Sequence, residues 1–306
     1  MLDSTTFEGT TNLEMLSLYS SQPLTIEDYT FKDLSKLKSL KIGTLDQEIV
    51  GFETLEGTMN LEHLDLSGRI GIEAGIFRKL KKLRELKLNY LYQDTIHSNM
   101  FEGAANLETI SLIGQIGSIE DGTFKKLRKL KDLKIKSSFL ISIRPKTLEG
   151  GTNLVKLALS GHGIKVEVGA LRNLKELKDL TILDVKILAV DSMMFEGTVN
   201  LENLELSGEI QEGIEVGAFK DLRNLRNLKI GNLFQKVLYS NTFEGAENLE
   251  KLRLTGQIEA LGDEVFKNLR KLKELHIENL NQKTLPSKIF EGMTNLETLV
   301  LGGQLK

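Results

Sequence analysis

The sequence predicts a repeat solenoid of the α/β type, and three observations carry the prediction. One segment recurs seven times, a second form alternates with it, and the period holds at 22–24 residues throughout. Self-similarity at such a period means one supersecondary unit stacked many times, because each unit alone cannot bury its apolar face.

The first form begins Phe7-Glu8-Gly9-Thr10-Thr11-Asn12-Leu13-Glu14-Met15-Leu16-Ser17-Leu18. Its later copies carry their Asn-Leu pair at Asn60-Leu61, Asn106-Leu107, Asn153-Leu154, Asn200-Leu201, Asn248-Leu249 and Asn295-Leu296. The second form is seen in Phe124-Lys125-Lys126-Leu127-Arg128-Lys129-Leu130-Lys131-Asp132-Leu133-Lys134-Ile135, with its leading leucines at Leu37, Leu83, Leu130, Leu177, Leu225 and Leu272. We call the two forms A and B. Every B leucine precedes the next A leucine by 24 residues, so 13 units alternate with no linker or composition shift between them. This predicts a single domain, 1–306.

Each unit holds L-x-x-L-x-L, and its alternation predicts a short strand with one buried face. A later Val, Ile or Leu (Val50, Ile96, Ile143, Val190, Leu238, Leu285) and a Phe such as Phe31, Phe77 or Phe219 are expected in the same core. Leu55, Leu148 and Leu171 replace the Phe in three units, so a large apolar group is always kept. The arc between strands is short, which predicts turns, 3-10 segments and a helical turn at F-x-x-L-x-x-L.

These motifs resemble the leucine-rich repeat family over essentially the whole chain. The Phe six residues before the strand leucine and the 24-residue length are similar to its typical subclass. The resemblance implies a curved horseshoe with a parallel β-sheet on the concave face and irregular or 3-10 structure on the convex face. It also implies receptor or adhesion work at the cell surface or outside the cell. Two features depart from the family pattern. The Asn expected three residues after the third leucine is missing: A units have Ser21, Arg69, Gln115, His162, Glu209, Gln257 and Gln304 there, and B units mostly apolar residues such as Leu45 and Leu91. Cys-rich caps are also missing. The Asn that does recur stands just before each A strand, where it is expected to satisfy backbone groups.

Composition narrows the function. The chain is 40% hydrophobic and 27% charged, as expected of a folded protein. Its net charge of -3 gives no reason to expect a nucleic acid or an anionic membrane as partner. With no Cys, thiolate catalysis, disulfides and Cys-based metal centres are excluded. No apolar run reaches the roughly 18 residues of a membrane span, and residues 1–4 do not read as a signal peptide. None of the 18 Asn begins an Asn-x-Ser/Thr sequon. Both ends fall within a repeat, so a segment of a longer array is expected.

The recurrent Gly of Phe-Glu-Gly (Gly9, Gly57, Gly103, Gly150, Gly197, Gly245, Gly292) is expected at positive φ or under a close approach. No phosphate-binding motif accompanies it. The residue after each leading leucine alternates in sign, from Glu14, Lys38, Glu62, Arg84, Glu108 and Lys131 to Lys178, Glu202, Arg226, Glu250, Lys273 and Glu297. On strands about 4.8 Å apart this predicts a ladder of opposite charges that favours A beside B over A beside A.

The ladder breaks once, at Val155, in the seventh unit. Outward strand positions around it are apolar: Ile113, Val155, Ala158, Thr181 and Leu183, bordered by Lys134, Lys156 and Asp179. A charge-depleted centre with a polar rim is how protein interfaces are built, so these eight residues are the candidate protein-binding patch. A degenerate repeat is the bland alternative. Tyr90 and Tyr92 are the next aromatic anchors. His63, His97, His162 and His276 have no catalytic or metal-ligand spacing. The expectation is therefore no catalytic residue, no cofactor and no metal. It is a monomeric, non-enzymatic recognition module that binds a protein ligand on a sheet about 60 Å along its arc. A microbial or engineered scaffold without a dedicated ligand, and the targeting domain of a larger signalling enzyme, are the alternatives.

Overall fold

The computed structural model describes residues 1–304. It is a parallel β-sheet solenoid of about 13 turns with no α-helix among the described residues. Two compact units divide it, one of residues 1–141 with 146–154 and one of 142–145 with 155–306.

In the first unit, β1 (Met15–Leu18), β2 (Ser39–Val50), β3 (His63–Ile72), β4 (Glu85–Ile96), β5 (Thr109–Ile119) and β6 (Asp132–Ser137) pair in chain order. In the second, β7 (Ser142–Ile143) and β9 (Lys165–Val166) form a short side pair. The main path there runs β8 (Lys156–Ser160), β10 (Asp179–Ile187), β11 (Asn203–Ile210), β12 (Asn227–Leu238), β13 (Lys251–Leu261), β14 (Glu274–Leu280) and β15 (Thr298–Gly303).

Register follows the leucines. Leu40 faces Leu16 on one side and Leu64 on the other, and Leu204 lies between Leu180 and Leu228. Repeats of equal length can stack only in this way without turning a buried row to solvent. The core phenylalanines stack in the same order. Phe77, Phe101 and Phe124 form one run in the first unit; Phe195, Phe219, Phe243, Phe266 and Phe290 form another in the second, with ring centroids 5.8–6.3 Å apart. Leu55, Leu148 and Leu171 are buried where Phe is replaced. Val50, Ile96, Ile143, Val190 and Leu238 are buried as expected, while Leu285 is half-buried.

The helical turn expected on the arc does not form as an α-helix. Turns fill it, with 3-10 segments at Glu53–Leu55 and Ile76–Lys79. From the Phe of one unit to its next strand leucine is only six residues, too few to propagate a helix against its costly nucleus.

A and B strands differ in a way the leucine pattern hides. Five of the six B strands, all but β6, carry one extra residue in a left-handed conformation after their second core position: Thr44, Tyr90, Asp184, Asn232 and Asn279, with φ between 55° and 61°. The ladder shifts register there, as between Ile42 and Leu45 against β3, which makes a β-bulge. The A strand answers with a glycine. Gly68 pairs with Leu45 and Gly208 with Val185, and a Cβ on either would overlap the partner's backbone.

The missing Asn ladder has a substitute. Five residues after the second core position of four B units stands a Gln: Gln47, Gln93, Gln235 and Gln282. Each side-chain oxygen accepts from a backbone N–H 21 residues earlier, on Ile26, Ile72, Ile214 and Leu261 respectively. Ser137 does the same for Ile116. Gln235→Ala would leave the Ile214 amide buried without an acceptor, at a cost of about 1–3 kcal/mol. Urea unfolding checks this as a lower midpoint at unchanged slope.

Candidate functional site

Alternation along each strand sends one row of side chains into the core and the other out, so the open face of each unit is a grid of variable residues. Its entrance row is the charge ladder. Lys38 reaches Glu14 at 2.8 Å and Lys178 reaches Glu202 at 2.9 Å; Glu250 takes Arg226 at 3.2 Å and Lys273 at 2.7 Å. Glu108 lies 3.9 Å from Arg84 and 3.7 Å from Lys131. These pairs bend the titration of their members as opposite charges should. The Lys partners lower the carboxyl groups of Glu14, Glu202 and Glu250, and the carboxylates raise Lys38, Lys178 and Lys273.

Beside the ladder stands the recurrent Asn. Asn60, Asn106, Asn200, Asn248 and Asn295 each donate to a backbone carbonyl 25 residues earlier, at 2.6–2.9 Å. Asn153 donates likewise to Arg128. The expected role holds, but the side chains are exposed or half-buried.

In the second unit the outward residues of β8 and β10–β14 line a shallow groove of about 560 Å³. Its first row is Lys156, Asp179, Asn203, Asn227, Lys251 and Glu274. The Asn227 amide donates to Asn203, whose own amide donates to Asp179. Lys156 lies 3.7 Å from Asp179, and Lys251 bonds Glu274 at 2.6 Å. The second row holds Thr181, Glu205, Lys229, Arg253 and His276. Lys229 pairs with Glu205, and Arg253 reaches Glu278 at 2.7 Å. The groove thus presents paired charges and an amide chain on carbon stems and leucines such as Leu204 and Leu228, suited to both hydrogen bonding and apolar contact with an extended or folded surface.

The eight predicted patch residues are divided. Val155, Lys156, Ala158, Asp179, Thr181 and Leu183 belong to the second unit, where Thr181 pairs with Ala158 and Asp179 with Lys156. Val155, Ala158, Thr181 and Leu183 are half-buried, and Lys156, Asp179 and Thr181 line the groove. Ile113 on β5 and Lys134 on β6 belong to the first unit, and Ile113 pairs with Lys136 rather than Lys134. Asn203, Asn227, Lys229, Arg253 and His276 were missed, although they stand at the same two outward positions as Asp179 and Thr181 in successive repeats. Reading down those columns would have found them.

Tyr90 and Tyr92 are 73% and 59% exposed. Tyr92 borders a hollow of about 330 Å³ in the first unit that also holds the Arg69–Asp46 pair, at 2.8 Å. His63 lies 3.0 Å from Glu85, and His97 lies 3.0 Å from Glu120. The Ser98 backbone N–H, with His97 and the Ser98 side chain adding to it, holds the Glu120 carboxyl down at about 2. No group of three His, Asp or Glu side chains converges as a metal site among the described residues. No described helix is long and apolar enough to cross a membrane.

Comparison with known proteins agrees with this architecture. An internalin of Listeria monocytogenes is similar over 96% of this chain and 82% of its own, at 17% identity and a TM-score of 0.71. A leucine-rich repeat protein of Leptospira interrogans is similar over 97% and 74%, at 24% identity and a TM-score of 0.76. A chain of the Drosophila Toll–Spatzle complex is similar over 99% of this chain but 42% of its own, at 18% identity and a TM-score of 0.79. Identities this low establish the fold alone. No curated protein matches in sequence. The family model described as "BspA type Leucine rich repeat region (6 copies)" matches residues 1–95, 94–212 and 188–306. The chain is a leucine-rich repeat protein and belongs to the BspA-type leucine-rich repeat family.

Proposed function

We propose that this chain is a non-enzymatic protein-recognition module of the receptor or adhesion kind, acting through the open strand face as the concave face of a horseshoe. The observation that carries the reading is the groove of about 560 Å³ lined by variable polar side chains on a constant frame of Leu and Ile. Such a frame lets surface residues change without cost to the core, which is how repeat proteins present extended binding surfaces. The Toll chain that this fold resembles was solved in a complex with Spatzle, described as a hub in development and innate immunity. A protein ligand at the cell surface is consistent with that likeness. The unbroken alternation of A and B units supports reading residues 1–306 as one domain of this kind.

Val155, Ala158, Thr181 and Leu183, with Lys156 and Asp179, are the proposed centre of contact in the second unit; Ile113 and Lys134 are proposed contacts in the first. The test is capture of partners by purified protein, as wild type and as Val155→Glu with Leu183→Lys. Both substituted side chains are half-buried on the open face, so the fold should persist, as circular dichroism would verify. Loss of captured protein by the folded variant is expected. Retention of every partner would remove this patch from the site.

A further inference from the structure

Residues 122–141 carry seven Lys or Arg against one carboxylate, Asp132, in a chain whose net charge is -3. The turn preceding β6 and β6 itself therefore form a basic band in the first unit. Part of it is neutralised within the unit: Lys125 reaches Glu149, Lys126 reaches Glu102 and Lys131 reaches Glu108, at 3.1–3.7 Å. Lys134 and Lys136 are different. Leu133 and Ile135 alternate with them into the core, so both ammonium groups project from the open face. Their neighbours on β5 are Ser111 and Ile113, and neither Lys meets a carboxylate among the described residues. At the first two outward positions of other strands the cations do have one, as in Lys41–Asp65 at 3.4 Å and Lys251–Glu274 at 2.6 Å.

An apolar element adjoins these cations. Just after β6, Phe139 is 58% and Ile141 77% exposed, while Leu140 between them is 3% exposed. The segment is held in place. The Ser137 hydroxyl donates to the Ile116 carbonyl at 2.8 Å and accepts from the amides of Ile116, Phe139 and Leu140 at 3.0–3.2 Å. Two large apolar side chains are thus held at the surface, Phe139 within about 17 Å and Ile141 within about 23 Å of Lys134 along the chain at strand rise.

We infer that the β6 face and the Phe139–Ile141 segment dock an acidic polypeptide segment that carries a large apolar side chain. Its carboxylates would take the position that a neighbouring strand's acid fills elsewhere, and its apolar group would cover Phe139 and Ile141. Charge complementarity favours this occupant. A bilayer is less suited, because the exposed apolar element here is the pair Phe139 and Ile141, far short of the broad apolar face that interfacial binding needs.

This inference rests on the reading of the open face as a recognition surface. The test measures fluorescence anisotropy of a labelled peptide with a run of Glu ending in Phe-Leu, beside the same run ending in Ser-Ser. Vesicles of phosphatidylcholine with phosphatidylserine form a third arm. The expected result is salt-sensitive binding of the Phe-Leu peptide, stronger than of the Ser-Ser peptide. It should weaken about tenfold in Lys134→Gln with Lys136→Gln, and similarly in Phe139→Ser with Ile141→Ser. All four residues are exposed, so the variants should fold, and circular dichroism verifies it. Equal binding of both peptides, unchanged binding by either variant, or binding to vesicles but to neither peptide would overturn the inference. Protein partners captured by wild type and lost by Val155→Glu with Leu183→Lys, with no peptide binding, would overturn it while leaving the recognition reading intact.

Discussion

Replacing Phe243 with Ala is expected to destabilise the second unit by about 3–5 kcal/mol, the range for emptying a large aromatic site in a packed core. Phe243 is 1% exposed and stacks between Phe219 at 6.0 Å and Phe266 at 6.2 Å. The loss would reach both neighbours, because a solenoid's stability is a sum of repeat terms and nearest-neighbour interfaces. Phe243→Leu should recover most of it, since Leu55, Leu148 and Leu171 fill the same position in other repeats. Urea unfolding followed by circular dichroism measures both. A Leu variant as damaged as the Ala variant would mean that ring stacking, and not volume, holds this column.

The second large effect is expected at the glycine of Phe-Glu-Gly. All seven copies have φ between 79° and 92°. In the interior repeats this glycine also passes against the turn of the unit before it: a Cβ at Gly197 would overlap the Arg172 carbonyl oxygen, and one at Gly57 the Phe31 carbonyl oxygen. Gly197→Ala therefore combines left-handed strain of about 1–2 kcal/mol with overpacking of about 1–3 kcal/mol. Gly9 has the same φ, but nothing lies within 4 Å of its would-be Cβ. Gly9→Ala should show only the strain, about 1–2 kcal/mol. Thermal and urea midpoints of the two variants, compared side by side, check the difference. Equal losses would place the whole effect in φ and none in the contact between repeats.

These two residue types mark how far the sequence could be read. Seven glycines at one motif position were enough to expect positive φ or a close approach, and the structure has positive φ in all seven and the approach in the interior ones. The alternating charges likewise predicted cross-strand pairs, because parallel strands at a fixed period bring equivalent positions side by side. The Gln side chains that accept from the preceding repeat form a column in the sequence, but the column alone does not reveal their role. Their distance from the strand leucines differs from the family's Asn, and a polar residue gains meaning only when the amide it satisfies is known.

The candidate site was less legible. Its residues are the outward ones, and nothing about burial constrains them, so no periodicity separates a contact residue from a merely solvated one. The break at Val155 drew attention to one column, while the groove extends across the amide chain of Asn203 and Asn227 to His276. Ile113 and Lys134 were grouped by sequence with residues of the other unit, whereas within their own unit Ile113 stands beside Lys136.

The amino-acid sequence alone determined the repeat, its period, the buried rows and the leucine-rich repeat family, because burial of one face per unit forces the same apolar positions to recur. Only the tertiary structure decided the bulge of the B strands, the turns in place of helix, and which outward side chains meet. Those depend on backbone conformation and on neighbours about 24 residues away, which no local pattern encodes.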